Sequence, residues 1–311
     1  MISIYQTQNH QLSLLQALET GCWVNITNPT ESDQLWLQEH LPIVTDEYLR
    51  EATDTDEVSR VEQEDDFLMI VVRIPHFQGV DSDKPFTVLP IMFIISDTVF
   101  ISICKEENAI LQEFIKERVK GFHTAKKYKF LLQFMFQTAS KFLLHLRKIN
   151  KNVDDIEDQL AKSLKNEDLM ELLRYEKTLI YYITALRSNE AMMRRLDHMR
   201  IFRLYEEDEY LLEDVIIENT QALEMTKTSQ NIIKQIADAY FSIINNNVNS
   251  VVKLLTLVTI CISIPTLVAS FYGMNIPLPA QNSPNSVLYF LLISLALIFV
   301  AVWFFRKRGW F

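Results

Sequence analysis

The sequence predicts an α/β domain at the N-terminal end, a stalk of long helices, and two C-terminal transmembrane helices. Three observations lead there. Short β-rich runs and most turn signals lie in the first 120 residues. Residues 122–264 contain neither Gly nor Pro, a stretch hard to fold as many short strands with tight turns. Two apolar stretches, Val251–Tyr272 and Val287–Phe305, each reach the roughly 20 residues needed to cross a ~30 Å hydrocarbon core.

Within residues 1–120, strands are expected at Ile2–Tyr5, Cys22–Ile26, Phe67–Ile74, Phe86–Ile95 and Thr98–Cys104. The run VFISI alternates in the manner of a strand. Pro29, Thr30 and Glu31 open the stretch PTESDQLWLQEHL with helix-start chemistry. Residues 121–250 then read as a helical hairpin lying against a third helix. Leu146, Ile149, Val153, Ile156 and Leu160 form one apolar seam, and Leu179, Ile183 and Leu186 form another. The third helix runs from Glu206 to Ile264 without a breaker, and Pro265 only kinks it. Some 65 residues at about 1.5 Å each span about 100 Å. Its start is acidic, its middle mixed and its end apolar.

Five glycines in 311 residues is far below the roughly 7% of average usage. That argues against a Gly-rich nucleotide site, and there is no GxxxxGK[ST] loop. No nucleotide and no enzymatic activity are expected. No Asp or Glu occurs from Ala239 to Phe311, where the basic residues are Lys253, Arg306, Lys307 and Arg308. Residues 1–250 therefore hold all 40 acidic residues and 26 of the 30 basic ones. An acidic body joined to a weakly basic apolar end is a poor match for nucleic acid. Cys22, Cys104 and Cys261 have no metal-ligand spacing and read as reduced buried thiols. The start, MISIYQTQNHQL, lacks the basic-then-apolar run of a signal peptide.

The first apolar stretch has one charge, Lys253 near its start, and the second has none. VLYFLLISLALIFVAVWFF has no polar face to show water, so two spans are expected, 251–272 and 287–305. Arg306–Arg308 follow the second span and the intervening loop 273–286 is uncharged. The positive-inside rule then places both chain ends in the cytoplasm and the loop outside.

Polar side chains recur along the first span and the helix leading into it. Asn245, Asn249, Thr256, Thr259, Ser263, Thr266 and Ser270 are spaced by three, four or seven, with Val252 at the missing step. On a helix that is one face. Such hydroxyls can satisfy themselves on their own backbone or a neighbouring helix; seven on one face fit contact with water. One helix encloses nothing, but several copies around an axis could line an uncharged hydrated path. At its end stands Tyr272-Gly273-Met274-Asn275. Gly273 is expected to let the chain leave the helix through conformations closed to other residues. Asn275 offers a neutral amide oxygen. A ring of such oxygens can hold the water shell of Mg²⁺, an ion that dehydrates reluctantly.

YGMN closing the first of two C-terminal membrane helices, after a long helix with an acidic start, resembles the CorA-type magnesium transporters. Asn249-Ser-Val-Val-Lys253-Leu-Leu-Thr256 is similar to the family's Asn-x-x-Met-Lys-x-Leu-Thr segment. The stretches WVNITNPTESD and TVLPIMFIISDTVFIS and the ending RKRGWF fit as well. The resemblance implies a funnel-shaped homopentamer in the plasma membrane, with an α/β cytosolic domain and a central pore. It implies a selectivity filter at Gly273, Met274 and Asn275 and an inner polar ring at Asn249. It also implies cytosolic Mg²⁺ sensing between subunits, with Asp214 on the stalk and Asp81 or Asp83 on the α/β domain as metal residues. Partners are then divalent cations, the bilayer and further copies of the chain.

Val252 and Ser263 stand where the family pattern has bulky methionines, leaving Val252 or Leu255 as a hydrophobic gate. Pro265 lies one residue late, and the loop IPLPAQNSPNS lacks the family's acidic residues. Potential-driven Mg²⁺ uptake is the leading expectation. Zn²⁺, Co²⁺ or Ni²⁺ transport, including efflux, and a non-conducting membrane-anchored sensor or scaffold remain the alternatives.

Overall fold

The computed structural model describes residues 1–9, 11–79, 82, 85–162, 165–199, 206–274 and 284–309. The chain divides into two compact units, Met1–Ala237 and Asp238–Phe311.

The first unit contains β1 (Ile2–Gln8), β2 (Gln11–Leu15), β3 (Cys22–Thr27), α1 (Glu31–His40), α2 (Asp46–Thr53), β4 (Arg60–Gln63), β5 (Phe67–Phe77), β6 (Phe86–Ser96) and β7 (Val99–Cys104). After these come α3 (Ala109–Ile115), α4 (Lys127–Lys162), α5 (Asn166–His198) and the beginning of α6 (Glu206–Tyr272). The seven strands form one sheet in the order β2-β1-β3-β7-β6-β5-β4. Only β3 and β7 pair in parallel; the other neighbours are antiparallel.

The long pair β5–β6 runs in register from Phe67↔Ser96 to Phe77↔Phe86. Its sequences, FLMIVVRIPHF and FTVLPIMFIIS, are almost continuously apolar because helices cover both faces of the sheet. On one face Ile70, Val72, Ile91 and Phe93 meet Phe114 of α3, Phe130 and Phe134 of α4, Met192 and Leu196 of α5, and Leu212 and Val215 of α6. On the other, Met69, Val71, Met92 and Ile94 meet Leu37 and Leu41 at α1 and Leu49 and Ala52 on α2. Each such side chain contributes about 1.5–3 kcal/mol through the area it removes from water.

Two strands, β2 and β4, lie outside the expected runs. QLSLL and RVEQ are short and partly polar because they form the two edges of the sheet. The helix expected at Thr30 is present. Thr30 and Asp33 form a reciprocal capping box, the Asp33 N–H donating to Thr30 Oγ1 and the Thr30 N–H to Asp33 Oδ2. Cys22 and Cys104 are buried free thiols, whereas Cys261 is only half-buried.

The apolar seams pack as expected. Leu146, Ile149, Val153, Ile156 and Leu160 of α4 are all buried, as are Leu179, Ile183 and Leu186 of α5. The start of α6 lies against this hairpin. Asn219 Nδ2 donates to the Leu186 carbonyl at 3.0 Å, the Ser140 hydroxyl donates to Glu218 at 3.2 Å, and Lys129 pairs with Glu207 at 3.1 Å.

The second unit holds the rest of α6 and α7 (Ser286–Lys307). Both helices are long and apolar enough to cross a membrane. The helix α6 continues through Pro265 to Tyr272, although the ring supplies no N–H to the carbonyl of Cys261 four residues earlier. The helix α7 ends where Gly309 adopts a φ of +70°, the left-handed C-terminal conformation that glycine takes without a Cβ clash.

Candidate functional site

At about 100° per residue, Asn245, Asn249, Val252, Thr256, Thr259, Ser263, Thr266 and Ser270 fall within an arc of about 100° on α6. Leu255 borders that arc. All are exposed within the single chain except Thr256, which is half-buried. Exposure alone does not single this face out, because Leu254, Val258 and Ile262 on other faces are exposed too. What distinguishes it is chemistry.

Three of its threonines donate their hydroxyl hydrogens to the carbonyl four residues back: Thr256 to Val252, Thr259 to Leu255 and Thr266 to Ile262, each at 2.8 Å. Backbone self-satisfaction is thus met for these hydroxyls. It also fixes their polarity. With the hydrogen turned inward along the helix, each oxygen can only accept from a partner beside the helix. Water molecules around a cation turn their hydrogens outward, and acceptor oxygens are what such a shell requires.

At the end of α6, the Gly273 N–H donates to the Ala269 carbonyl at 3.0 Å and the Met274 N–H to that of Phe271 at 3.2 Å. The expected special conformation at Gly273 is not adopted. Positive φ occurs at Gly21, Gly79, Gly121 and Gly309 but not there. A Cβ on Gly273 would meet only the Ala269 and Ser270 carbonyl oxygens at 3.5 and 3.6 Å. The last turn simply tightens as the helix closes, which needs no left-handed residue. Met274 is exposed. Asn275 lies outside the described residues.

Asp214 is exposed on α6, between Leu212 and Val215, which are buried in the core of the first unit. Its position is therefore fixed by the packing of its neighbours. Asp81 and Asp83 lie outside the described residues. Among the described residues no three His, Cys, Asp or Glu side chains come together to hold a metal.

Charges near the start of α6 are tuned individually. The hydrogen bond from Lys129 holds the Glu207 carboxyl below its usual range. Burial pushes that of Asp208 up, against the pull of Lys129. In sequence Asp208 belongs to an acidic run that looks like a solvated helix face; only the packing shows that this member points inward.

Residues 19–307 match the family described as CorA-like Mg²⁺ transporter protein. A cobalt/magnesium transport protein CorA of Methanocaldococcus jannaschii is 24% identical over 293 residues, covering 93% of this chain and 90% of the relative. The complete structure of the CorA magnesium transporter from the same organism superimposes with a TM-score of 0.85 at 21% identity, over 100% of this chain and 99% of that one. The full-length CmaX protein superimposes with a TM-score of 0.73 at 14% identity, over 99% and 97%. At those identities the two structures speak for the fold, and the family match over nearly the whole chain supplies the assignment: this chain belongs to the CorA-like family of divalent cation transporters.

Proposed function

We propose that the protein is a passive, channel-like transporter for Mg²⁺ uptake. Copies of the chain, five by resemblance to the family, set the polar face of α6 around a common axis in a funnel-shaped assembly in the plasma membrane. The chain ends lie in the cytoplasm. Gly273, Met274 and Asn275 form the outer filter, and Asn245, Asn249, Thr256, Thr259, Ser263, Thr266 and Ser270 line the path, with Val252 and Leu255 as the apolar constriction. The membrane potential drives entry with about 4.6 kcal/mol per 100 mV for a double charge, from ~2.3 per unit charge.

The observation that carries this reading is the acceptor-only character of the threonine oxygens at 256, 259 and 266. An uncharged row of acceptors suits an ion that keeps its water. It offers no thiolate or imidazole ligand of the kind that favours Zn²⁺, Co²⁺ or Ni²⁺. Relatives carrying cobalt and magnesium in their names support the same reading and keep Co²⁺ among the candidate cargoes.

High cytosolic Mg²⁺ closes the pathway in this account. Ions shared between acidic subunit surfaces at Asp214, with Asp81 or Asp83 opposite, hold the ring together and favour the closed state. The test of ion choice is flux into proteoliposomes under an imposed potential, with Mg²⁺, Co²⁺ and Zn²⁺ compared singly and in competition. Mg²⁺ entry that rises with the potential and is little reduced by equimolar Zn²⁺ supports the proposal. Zn²⁺ entry that excludes Mg²⁺ overturns it in favour of the zinc reading.

A further inference from the structure

The end of α7 carries three consecutive exposed cations, Arg306 and Lys307 in its last turn and Arg308 at its C-cap. Two of them are held in place by the preceding turn. Lys307 Nζ sits 5.3 Å from the ring centroid of Trp303, and the Arg308 guanidinium carbon sits 5.2 Å from that of Phe304. Both pairs are separated by four residues, so each cation is laid back along its own helix over an aromatic face. The helix stops just beyond, where the Gly309 N–H closes onto the Arg306 carbonyl at 3.1 Å.

No Asp or Glu occurs from Ala239 to Phe311, and the unit's one acidic side chain, Asp238, stands at its opposite end in sequence, on α6. Three charges are thus gathered at the end of a membrane-length apolar helix, beside exposed Trp303 and Phe304, with no acidic residue on α7 or anywhere from Ala239 onward to neutralise them. We propose that this turn is a binding site for the headgroup of an anionic glycerophospholipid in the cytoplasmic leaflet. The aromatic rings face the upper acyl chains and glycerol, where such rings settle. The Arg forks take the phosphate oxygens, and Lys307 adds a point charge. A soluble anion satisfies the charges but leaves both rings uncovered; a lipid covers both. The proposal does not rest on ion conduction, so a chain that moves no Mg²⁺ would still bind lipid here.

Trp303 is itself the reporter. In a Trp310→Phe background it is the sole tryptophan of this unit, since Trp23 and Trp36 lie in the first unit. The full-length protein is placed in phosphatidylcholine vesicles containing a small fraction of acyl-brominated lipid, either phosphatidylglycerol or phosphatidylcholine. The expected result is markedly stronger quenching by the brominated phosphatidylglycerol at equal mole fraction. That preference should fall by about fivefold for each cation removed and vanish in R306Q/K307Q/R308Q. It should survive in R306K/R308K, which keeps the charges. It should also collapse near 1 M salt, where the screening length is about 3 Å, a readout on the unmutated turn that does not depend on a variant folding. Equal quenching by the two lipids in the native turn, or a preference that persists in the triple Gln variant or at high salt, overturns the proposal.

Discussion

The side-chain amide of Asn189 on α5 pairs with the backbone of Arg73 on β5 as a neighbouring strand would. The Arg73 N–H donates to Asn189 Oδ1 at 2.9 Å, and Asn189 Nδ2 donates back to the Arg73 carbonyl at 2.8 Å. The edge strand β4 pairs along β5 only as far as Arg60↔Val71, and Asn189 takes over beyond that point. The Ser59 hydroxyl also donates to Asn189 Oδ1, at 2.6 Å. The device fixes the end of β5 that leads toward Asp81 and Asp83.

Replacing Asn189 with Ala strands the buried Arg73 carbonyl, removes the acceptor of the Ser59 hydroxyl, and leaves the Arg73 N–H only its longer 3.2 Å bond to Ser59 Oγ. At roughly 1–3 kcal/mol per buried unpaired group, Asn189→Ala should destabilise the first unit by about 3 kcal/mol. Thermal or denaturant unfolding of the detergent-solubilised protein checks this. A loss under about 0.5 kcal/mol, the size of an ordinary surface change, would show that water replaces the amide.

His145 Nδ1 lies 3.0 Å from the Tyr182 hydroxyl inside the α4–α5 hairpin. Burial, with nearby Lys141 and Lys148, pushes the His145 pKa down from 6.5 to about 4. The unfolded chain therefore takes up this proton near pH 6.5, whereas the folded one resists until about 4. Stability from this residue is intact above pH 6.5 and is lost as the pH falls toward 4, amounting to about 3 kcal/mol at the bottom. Stability measured from pH 7 to 4 should fall less steeply in His145→Gln than in the native protein. Identical slopes would mean that the hairpin opens to water first.

Asp208 is 7% exposed, and burial raises its pKa. The folded chain then keeps this proton to a higher pH than the unfolded chain does. The ionised carboxylate opposes folding at neutral pH, and that cost fades as the pH drops below its folded-state pKa. Asp208→Asn should raise the melting temperature at pH 7 and lose its advantage in acid. A lower melting temperature at pH 7 would show that the attraction of Lys129 outweighs burial.

Much of the fold was legible because its signals are periodic or compositional. The seam of Leu146, Ile149, Val153, Ile156 and Leu160 and the chargeless Val287–Phe305 follow from spacing and solvent alone. The edge strands β2 and β4 did not show in advance, because an edge needs neither length nor continuous apolar character. Neither did the Asn189 clamp or the burial of Asp208, since both depend on contacts between residues far apart in sequence. On the polar face of α6, spacing identifies the residues, but only the folded helix shows which way the Thr256, Thr259 and Thr266 hydroxyls point. Gly273 runs the other way: a glycine where the helix must end predicts a special backbone, and the backbone there has no positive φ.

Asp214 is held outward by the burial of Val215. If it shares regulatory Mg²⁺ with an adjoining subunit, Asp214→Ala should require about fivefold more internal Mg²⁺ for half-inhibition of flux, with the maximal rate retained. Inhibition curves from proteoliposomes of known internal Mg²⁺ give the comparison. Superimposable curves would remove Asp214 from the regulatory account.

The central claim is that a hydrated divalent cation passes a ring of neutral oxygens at the end of α6. Its most direct test is the initial rate of Mg²⁺ entry into proteoliposomes for the native protein and Asn275→Ala at matched incorporation. Loss of one acceptor to a charged complex, worth about 1.5 kcal/mol, predicts a drop of about tenfold or more with the oligomer intact. Native-like Mg²⁺ entry in Asn275→Ala would contradict it.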